Sequence, residues 1–406
     1  MSEVLEKIRK VIEFSGQNFP FYRERFKKEG IYSHDIKGIE DFQKLPFTTK
    51  SDLRNGEPLS MMAAPEEKVV RIHSSSGTTG KAVIIPYTQK DLFDWQEMMK
   101  RSLLLAGVNP FDRVQITPGY GLWTAGIGFQ AGVEALGAMA VPLGPGNTEK
   151  QLEFMVELKT TVLIGTSSYG LLLAEEVARR GLKEKINLKK GIFGSERWGE
   201  KLRGKIEEYL GIETYDIYGL TEIYGPGIAM DCQYHQGMHY WDDYLYFEII
   251  NPETGEVLPE GETGELVITT LTKEGMPLIR YRTRDITRLI PGRCSCGSPY
   301  PRIDRIIGRS DDMLKVKGVN FYPAQIEKVL MQVPEALPEY RLTLTHEEGR
   351  DRAFLEVEGY GEKTGEEIKR LLKSKIGVSF EVKIVLPGSL PRSEKKSKRI
   401  FDMRFA

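Results

Sequence analysis

The pattern of apolar and polar positions changes twice along the 406-residue chain. Up to about residue 237, short apolar runs rich in β-branched residues alternate with segments of helical periodicity, such as SSYGLLLAEEVARRG (167–181) and WGEKLRGKIEEYLG (198–211). This alternation predicts an α/β fold with a parallel sheet. The predicted strands are KVVRI (68–72), AVIIPYT (82–88), RVQIT (113–117), AMAVPL (138–143), TVLIG (161–165) and GIFG (191–194).

From about residue 238 the pattern becomes one of short strands with hairpin signals, as in YLYFEIINPETGEVL and GELVITTL. After GRSDD (308–312) a third pattern begins, in which helices and strands form a small α+β unit of normal domain size. We therefore predict a large N-terminal domain over residues 1–309, with a β-rich and zinc-bearing part at about 230–300. A small mobile C-terminal domain is predicted over residues 310–406.

Composition and charge narrow the classes of partner. The chain is 40% hydrophobic and 28% charged, as ordinary globular proteins are. Its 57 basic and 58 acidic residues nearly cancel, so the charge balance favours small-molecule partners over nucleic acid or an anionic membrane. The charged N-terminus lacks the apolar core of a signal peptide, and no apolar run reaches ~18 residues. These features predict a cytoplasmic protein, in which cysteines stay reduced.

The stretch HSSSGTTGK (73–81) lies between two predicted strands and has the composition of a phosphate-binding loop. It is not a Walker A loop, because Ser75 stands where that motif requires glycine and Ala82 follows Lys81. Its glycines still allow backbone N–H groups to converge on an anion, and its hydroxyls and lysine add donors. The alternative is a solvated hairpin without a ligand.

Four further stretches follow this loop in order: YDIYGLTEIYGPG (215–227), YRTRD (281–285), IIGRSDDMLKVKG (306–318) and PRSEKKSKR (391–399). Together with SSSGTTGK they resemble the core motifs of the adenylate-forming acyl/aryl ligase superfamily. FPFYRERF, LPFTTKSDLR and GMHYWDDYLYFEII resemble more specifically the phenylacetate–CoA ligase family and its relatives of the coenzyme F390 synthetase type. The resemblance extends from about residue 19 to residue 403.

The resemblance implies an ATP- and Mg²⁺-dependent acid–CoA ligase. A carboxylate attacks the α-phosphate of ATP and releases pyrophosphate, and the thiol of CoA then displaces AMP. The expected acid is an aryl or arylacetic acid such as phenylacetate, and a homodimer is expected because relatives commonly form one. Two alternatives are an adenylyltransferase that acts on a phenolic hydroxyl without CoA, as the F390 synthetase type does, and a non-catalytic nucleotide-binding regulator.

By resemblance, Thr221 contacts the α-phosphate, Glu222 binds Mg²⁺, Tyr218 flanks the adenine and Asp285 accepts the ribose hydroxyls. Read without the resemblance, Glu222 is a surface carboxylate and Asp285 a salt-bridge partner of a neighbouring arginine. The residues implied to bind the nucleotide are Ser75, Ser76, Gly77, Thr78, Thr79, Gly80, Lys81, Ser195, Glu196, Tyr218, Gly219, Asp285 and Arg309.

The C-terminal motifs imply a moving domain. The resemblance makes Asp311 the hinge, with a simple polar linker as the alternative. It makes Lys396 the cation that stabilises the charge developing at the α-phosphate during adenylation. The family pattern has glycine where this chain has Lys395, so Lys395 is a rival, and a solvated basic tail is the other interpretation.

Cysteine and histidine positions raise a separate hypothesis. Three thiolates and one imidazole, from Cys232, His239, Cys294 and Cys296, are a ligand set expected of structural Zn²⁺. Their spacing is not that of a standard zinc finger, but similar positions hold zinc in part of the resembled family. His235 is the rival fourth ligand. The alternative is a set of small buried thiols.

The acyl substrate is expected to meet the stretch YGLWTAGIGFQAG (120–132), where family members have YGLFTGG. Tyr120, Trp123 and Phe129 are the candidate pocket residues, with core packing as the alternative for Trp123. Trp123 and Ala125 add bulk relative to the family pattern, and Ala131 removes it. A reshaped pocket is therefore predicted.

Overall fold

The computed structural model describes residues 2–55, 57, 59–75, 81–347, 350–393 and 398–404. The α-helices are α1 (Ser2–Asn18), α2 (Pro20–Glu29), α3 (Ile39–Phe42), α4 (Lys50–Arg54), α5 (Gln89–Leu105), α6 (Thr124–Leu136), α7 (Thr148–Glu157), α8 (Ser167–Arg179), α9 (Glu200–Leu210), α10 (Pro323–Leu330) and α11 (Glu362–Ile376). Short 3₁₀ helices cover Ser33–Asp35, Glu66–Lys68 and Lys183–Lys185.

The strands alternate with these helices in the first half of the chain and follow one another more closely in the second. They are β1 (Val69–Ser74), β2 (Ile84–Thr88), β3 (Arg113–Ile116), β4 (Met139–Pro142), β5 (Val162–Thr166), β6 (Lys190–Gly194), β7 (Glu213–Leu220), β8 (Gly225–Asp231), β9 (Met238–Tyr240), β10 (Leu245–Ile250), β11 (Gly264–Thr270), β12 (Tyr281–Thr287), β13 (Leu289–Ile290), β14 (Arg302–Ile303), β15 (Gly308–Arg309), β16 (Leu314–Val316), β17 (Val319–Phe321), β18 (Ala336–Glu347), β19 (Arg350–Gly359), β20 (Glu381–Val385) and β21 (Ile400–Asp402). The α/β class predicted from the sequence is confirmed.

The chain forms two compact units, each of which is described by itself. The first unit comprises residues 1–144, 160–164 and 215–306. The second unit comprises residues 145–159, 165–214 and 307–406. The small C-terminal domain predicted at 310–406 lies within the second unit, and its mobility stays a prediction.

In the first unit, the predicted parallel pairing holds for β3, β4 and β5 but is wrong for β1 and β2, which pair with each other antiparallel. Strand β3 pairs in parallel with β4 and with β5, and its Val114 and Ile116 are fully buried. After β2, antiparallel pairing next occurs at β7 and β8, earlier than the change predicted at about residue 238. The glycines Gly225 and Gly227 allow this reversal, because both adopt positive φ angles of 112° and 88°.

Two further antiparallel arrangements of the first unit carry candidate site residues. Strands β1 and β2 form the hairpin whose connection contains the HSSSGTTGK stretch. Strands β10, β11 and β12 pair in order, and the chain leaves β11 through a loop that includes Lys273 before it enters β12. Strand β9 pairs with β8 on one side and with β14 on the other.

The second unit has a sheet of order β20, β19, β18, β21, in which β18 and β19 are antiparallel and the outer strands pair in parallel. The hairpin of β16 and β17 precedes α10. Helices α10 and α11 share an apolar core with the sheet, in which Ile326, Leu342, Leu355, Ile368 and Leu372 are fully buried. Among the described residues, no helix is long and apolar enough to cross a membrane.

Candidate active site and metal centre

In the first unit, the base of the HSSSGTTGK stretch is tied to the predicted acyl stretch. The Ser74 backbone N–H donates to the Leu122 carbonyl at 2.9 Å, and His73 Nδ1 lies 3.2 Å from the same oxygen. Ser75 closes the loop from within, because its Oγ accepts a 2.9 Å hydrogen bond from the Val83 N–H. Lys81 is exposed. The predicted phosphate-contacting residues 76–80 lie outside the described residues.

The turn after β7 presents Thr221 beside the acyl stretch. Thr221 Oγ1 lies 3.4 Å from the Oγ1 of Thr124, the first residue of α6. The turn is tight, because a Cβ on Gly219 would lie 2.0 Å from the Gly225 carbonyl oxygen. Gly219, predicted to bind nucleotide, therefore has a backbone reason to be glycine. Residues of the acyl stretch and of the predicted α-phosphate turn meet at this point.

Glu222 is buried, with 4% of its surface exposed, so the interpretation as a surface carboxylate is wrong. Its Oε1 lies 2.8 Å from Lys50 Nζ, in an ion pair that lacks hydrogen-bond geometry. Lys50 is the first residue of α4, whose N-cap Thr49 accepts from the Asp52 N–H. The LPFTTKSDLR motif in the sequence does not by itself indicate a role for Lys50. Its partner is far away in sequence, and no local pattern could have indicated it.

The structure brings together Tyr218 and Asp285, which are predicted to contact the adenine and the ribose of the same nucleotide. The Tyr218 hydroxyl donates to Asp285 Oδ2 over 2.6 Å, and both residues are buried. The salt bridges of Arg282 and Arg284 are instead made with Glu265, at 2.7 and 3.5 Å. The alternative of Asp285 as a structural partner of these arginines therefore gains no support.

In the second unit, the remaining nucleotide candidates line a cavity of about 360 Å³. Ser195 adopts a positive φ of 67°. Glu196 accepts from the Ser168 N–H at 3.0 Å and from Ser167 Oγ at 3.3 Å, so its carboxylate caps the N-terminus of α8. The cavity is lined by Ser168, Ser195, Glu196, Arg197, Gly308, Arg309, Asp312, Tyr322, Pro323, Ala324, Glu327, Tyr340, Lys398, Arg399 and Ile400.

The predicted nucleotide contact Arg309 and the predicted hinge Asp311 bond to each other. Arg309 Nε donates to Asp311 Oδ1 at 2.9 Å, and Nη2 donates to Oδ2 at 3.0 Å. This two-point pair is largely exposed, so its contribution to stability is small. An exposed pair of this kind can exchange partners readily, which is compatible with the predicted hinge.

The segment that contains Lys396 starts and ends at anchored arginines. Arg392 Nη1 donates to Glu358 at 2.8 Å, and Arg392 Nη2 donates to Glu175 at 2.9 Å. On the other side, Arg399 Nη2 donates to Glu339 at 2.6 Å. Lys396 and its rival Lys395 lie outside the described residues. Lys398 and Arg399, which follow them in sequence, line the 360 Å³ cavity.

The acyl candidates differ in exposure. Trp123 is 49% exposed, so core packing, the alternative for this side chain, is wrong. Phe129 is buried within α6, at 3% exposure. The buried hydroxyl of Tyr120 finds no hydrogen-bond partner among the described residues, and burial raises the pKa of Tyr120 to about 12. A phenol hydroxyl without a partner among the described residues can donate a hydrogen bond to a bound molecule.

The four predicted zinc ligands form one cluster. Cys232 Sγ lies 3.7 Å from Cys294 Sγ, and Cys296 Sγ lies 3.3 Å from His239 Nε2. The four ligand atoms all lie within 4.8 Å of one another. A tetrahedral zinc ion, with bonds of about 2.0–2.3 Å, spaces its ligand atoms by roughly 3.5–3.8 Å. The donor set therefore fits zinc, and the separations of 3.7 and 3.3 Å lie close to this spacing.

His239 is held in the tautomer that a metal requires. Its Nδ1 lies 2.8 Å from the Tyr300 carbonyl oxygen, which leaves the Nε2 lone pair directed to the cysteines. The rival His235 instead contacts Asp231 Oδ2 through Nδ1 at 2.6 Å. The structure thus selects His239. Burial raises the pKa of the Cys232 thiol to about 12, so in the absence of a cation this sulfur holds its proton.

Both loops of the cluster are tied together by one arginine. Arg302 Nη1 donates to the Gln236 carbonyl at 2.8 Å, and Nη2 donates to the Gly292 carbonyl at 3.2 Å. Gly237 is required for their close approach, because it has a φ of 102° and a Cβ there would lie 2.7 Å from the Ile303 carbonyl. The cysteine cluster is thus preformed by contacts that do not depend on the sulfur atoms.

Known proteins resemble this chain over almost its whole length. The profile of the AMP-binding enzyme family matches residues 8–272, and that of the AMP-binding enzyme C-terminal domain matches residues 318–404. The phenylacetate-coenzyme A ligase of Pseudomonas putida is 42% identical over 414 aligned residues, which cover 99% of this chain and 94% of that protein. The chain belongs to the phenylacetate–CoA ligase family.

The phenylacetate-coenzyme A ligase of Escherichia coli (strain K12) is 41% identical, with 98% of this chain and 94% of that protein covered. Among solved structures, 2-hydroxyisobutyryl-CoA ligase in the postadenylation state, in complex with 2-HIB-AMP, superposes with a TM-score of 0.89 at 27% identity. That comparison covers 99% of this chain and 89% of the other.

The family settles the class of reaction that the sequence predicted. The chain is an AMP-forming acid–CoA ligase, and ATP and CoA are the substrates of its family. The two alternatives, an adenylyltransferase that acts on a phenolic hydroxyl and a non-catalytic regulator, are not favoured by these relatives.

Proposed function

We propose that this ligase activates an aryl or arylacetic acid such as phenylacetate. The contact that carries the proposal is the 3.4 Å approach of Thr124 Oγ1 to Thr221 Oγ1. Adenylation requires a carboxylate to reach the α-phosphorus of ATP. Thr124 lies within the acyl stretch and begins α6, and Thr221 is the residue assigned to the α-phosphate. The acid and the phosphate are therefore brought to one place by residues already in contact.

The acyl group is placed against Tyr120, Trp123 and Phe129. Trp123, which is half exposed, gives an aromatic surface at the N-terminus of α6, and Tyr120 adds a neutral hydroxyl. An aromatic acid suits such a surface better than a short aliphatic acid, which would leave the ring faces in contact with water. Relatives above 40% identity that act on phenylacetate support the same acid class.

In the first half-reaction, a carboxylate oxygen of the acid forms a bond to the α-phosphorus while the bond to the bridging oxygen breaks and pyrophosphate leaves. No side chain acts as the nucleophile, so the protein contributes position and charge. Thr221 donates to the α-phosphate. Asp285, oriented by Tyr218, accepts the ribose hydroxyls.

Glu222 fits the role of Mg²⁺ ligand. Its carboxylate is buried and lacks a true hydrogen bond to Oε1, and carboxylate oxygen is the ligand type that Mg²⁺ prefers. Mg²⁺ bound there would screen the negative charge of the phosphates. Lys50 occupies the same carboxylate in this structure and is proposed to supply the opposing charge before nucleotide binds.

Residues of the second unit are proposed, by the family resemblance, to include further nucleotide contacts and the catalytic lysine. Ser195, Glu196 and Arg309 are proposed to contact the nucleotide from the 360 Å³ cavity that they line. Lys396 is proposed to stabilise the charge at the α-phosphate, and the domain at 310–406 to rotate about Asp311 before CoA attacks. The arginine anchors at Arg392 and Arg399 fix both approaches to the lysine-containing segment, and the bond of Arg392 to Glu175, which lies outside 310–406, would have to break for that rotation.

Cys232, His239, Cys294 and Cys296 are proposed to hold one structural Zn²⁺ in closed tetrahedral coordination. The spacing of the four ligand atoms and the fixed tautomer of His239 support this assignment. Zinc bound there would stabilise the loops around β9 and β14 without entering the reaction. A cytoplasmic location and a homodimer stay predictions.

The proposed function is tested by incubating the purified protein with ATP, Mg²⁺, CoA and a panel of aromatic and short aliphatic acids. We expect acid-dependent release of AMP and pyrophosphate, with kcat/KM highest for an aryl or arylacetic acid. Equal or better kcat/KM for short aliphatic acids would refute the proposed acid class. AMP that stays attached to the product when CoA is omitted would instead indicate the adenylyltransferase alternative.

A further inference from the structure

We infer that Lys273 is a positioning residue for adenylation: its ammonium group, together with the Tyr87 hydroxyl, fixes the turn that presents Thr221 and Glu222. This inference rests on the roles proposed for those two residues. Lys273 lies in the loop between β11 and β12, far from the turn in sequence, and is 1% exposed.

Two side chains contact four consecutive carbonyl groups of the turn. Lys273 Nζ donates to the Glu222 carbonyl at 3.3 Å and to that of Ile223. The Tyr87 hydroxyl donates to the Tyr224 carbonyl at 3.0 Å, and the Thr221 carbonyl lies 3.5 Å from the same hydroxyl oxygen. The backbone from Thr221 to Tyr224 is therefore held on one side by a cation and a phenol.

A buried lysine is energetically unfavourable at a site with so little water. Moving an ammonium group out of water costs several kcal/mol unless polar groups replace the lost hydration. Here the replacement consists of two carbonyls and the faces of two rings, with Nζ 4.7 Å from the Tyr87 centroid and 4.9 Å from that of Tyr224. Burial still lowers the pKa of Lys273 to about 7. An apolar side chain would fill the space at less cost, so packing alone does not account for lysine.

The loop that carries Lys273 is itself fixed on both sides of that residue. The Glu274 and Gly275 N–H groups donate to the two carboxylate oxygens of Asp91, at 2.7 and 2.8 Å. Before the lysine, Thr272 Oγ1 donates to Asp94 Oδ2 at 2.8 Å. Since both aspartates lie on α5, the ammonium reaches the turn from a rigid base. A rigid base is required if the turn is to be held to within a fraction of an ångström.

The consequence for the reaction follows from geometry. Misplacing a catalytic group by about 1 Å can cost on the order of 10²-fold in rate. The side chains of Thr221 and Glu222 project from the segment whose backbone carbonyl groups Lys273 and Tyr87 contact. Loss of the ammonium should therefore displace the α-phosphate donor and the Mg²⁺ ligand together, while the distant steps of CoA transfer are less affected.

The test compares the wild type with Lys273→Met and Tyr87→Phe. The methionine keeps the length and apolar stem of the side chain, and the phenylalanine removes one oxygen atom. Lys90→Met is the matched control, because Lys90 Nζ contacts the Thr272 carbonyl and Asp94 but not the turn, and the bonds of the loop to Asp91 and Asp94 remain without it. Hydrogen exchange of a peptide covering residues 218–228 is measured in the protein without substrates. In the structure the Ile223 and Tyr224 N–H groups are bonded to the Leu220 carbonyl.

We expect faster exchange of that peptide in Lys273→Met and Tyr87→Phe, unchanged exchange around the cysteine cluster, and wild-type exchange in Lys90→Met. Acid-dependent ATP–pyrophosphate exchange should slow by roughly 10²-fold in Lys273→Met, with a several-fold higher Mg²⁺ requirement. In Tyr87→Phe it should slow by roughly tenfold, as for loss of one buried hydrogen bond. Thioester formation from supplied acyl-adenylate should change much less in both.

Wild-type exchange of the 218–228 peptide in both variants would overturn the inference, and so would equal losses in the two half-reactions. If Lys273→Met does not fold, Tyr87→Phe tests the inference by the same two measurements, which are hydrogen exchange of the 218–228 peptide and the comparison of the two half-reactions. Failure of the proposed function is a distinct outcome, since the wild type itself would then show no acid-dependent exchange while the hydrogen-exchange comparison would still stand.

Discussion

The hydroxyl of Tyr218, at the end of β7, donates a 2.6 Å hydrogen bond to Asp285 Oδ2 on β12. If Asp285 accepts the ribose hydroxyls, this bond orients the carboxylate before nucleotide arrives. Asp285→Asn keeps the shape and removes the charge, so the KM for ATP should rise by roughly tenfold or more, the range expected for a lost hydrogen bond to a charged group. Steady-state kinetics with varied ATP measure this.

Tyr218→Phe should raise the same KM by less, because the carboxylate stays in place but loses its orienting partner. Asp304→Asn is the control, since Asp304 is an exposed partner of Arg288 in the same unit. A rise in KM for ATP as large in Asp304→Asn as in Asp285→Asn would contradict the ribose assignment.

A second prediction concerns Glu222 and distinguishes a role in binding Mg²⁺ from a role in packing. Glu222→Gln is isosteric and removes the charge that pairs with Lys50 and is proposed to bind Mg²⁺. We expect the Mg²⁺ concentration for half-maximal adenylation to rise by roughly tenfold or more and the maximal rate to fall, because an amide is a weak ligand for a hard cation. A Mg²⁺ titration of pyrophosphate exchange gives both quantities. Glu97→Gln, which removes a partly exposed partner of Arg101, should leave the titration unchanged.

Much of this fold could be predicted because its signals are local. The parallel strands β3, β4 and β5 are short buried apolar runs, and α8 and α9 begin and end close to the predicted residues. The earlier onset of antiparallel pairing could not be predicted, since it depends on the positive φ angles of Gly225 and Gly227. A glycine in the sequence does not reveal which conformation it adopts.

The candidate site likewise contains some residues that could be predicted from the sequence and others that could not. Motif residues such as Tyr218 and Asp285 could be found because each lies in a distinctive stretch. Lys50 and Lys273 could not, because each acts through a partner far away in sequence, and a lysine in a polar stretch is ordinarily read as solvent-exposed. The choice of His239 over His235 likewise required the structure, since it depends on the Asp231 and Tyr300 contacts.

The cysteine cluster predicts one zinc ion per chain. Protein purified without chelator should contain about one equivalent by elemental analysis. Cys232→Ser should lose the metal and melt several degrees lower, because structural zinc contributes directly to folding free energy. His235→Ala is the control, since His235 contacts Asp231 rather than the cluster. Absence of zinc from the wild type, or loss of zinc in His235→Ala alone, would contradict the proposed ligand set.

A further prediction concerns Lys396 and tests whether the C-terminal domain acts differently in the two half-reactions. Lys396→Ala should slow adenylation by roughly 10²-fold or more, since losing a donor to the developing charge typically costs about 3 kcal/mol. Thioester formation from supplied acyl-adenylate and CoA should change far less, because the lysine has then left the α-phosphate. Single-turnover measurements of each half-reaction separate the two effects.

Lys395→Ala is the matched control, because Lys395 lies one position away and is the rival for the role. If Lys395→Ala impairs adenylation and Lys396→Ala does not, the assignment passes to Lys395. Equal losses in both half-reactions of Lys396→Ala would instead argue against a domain that moves between the steps.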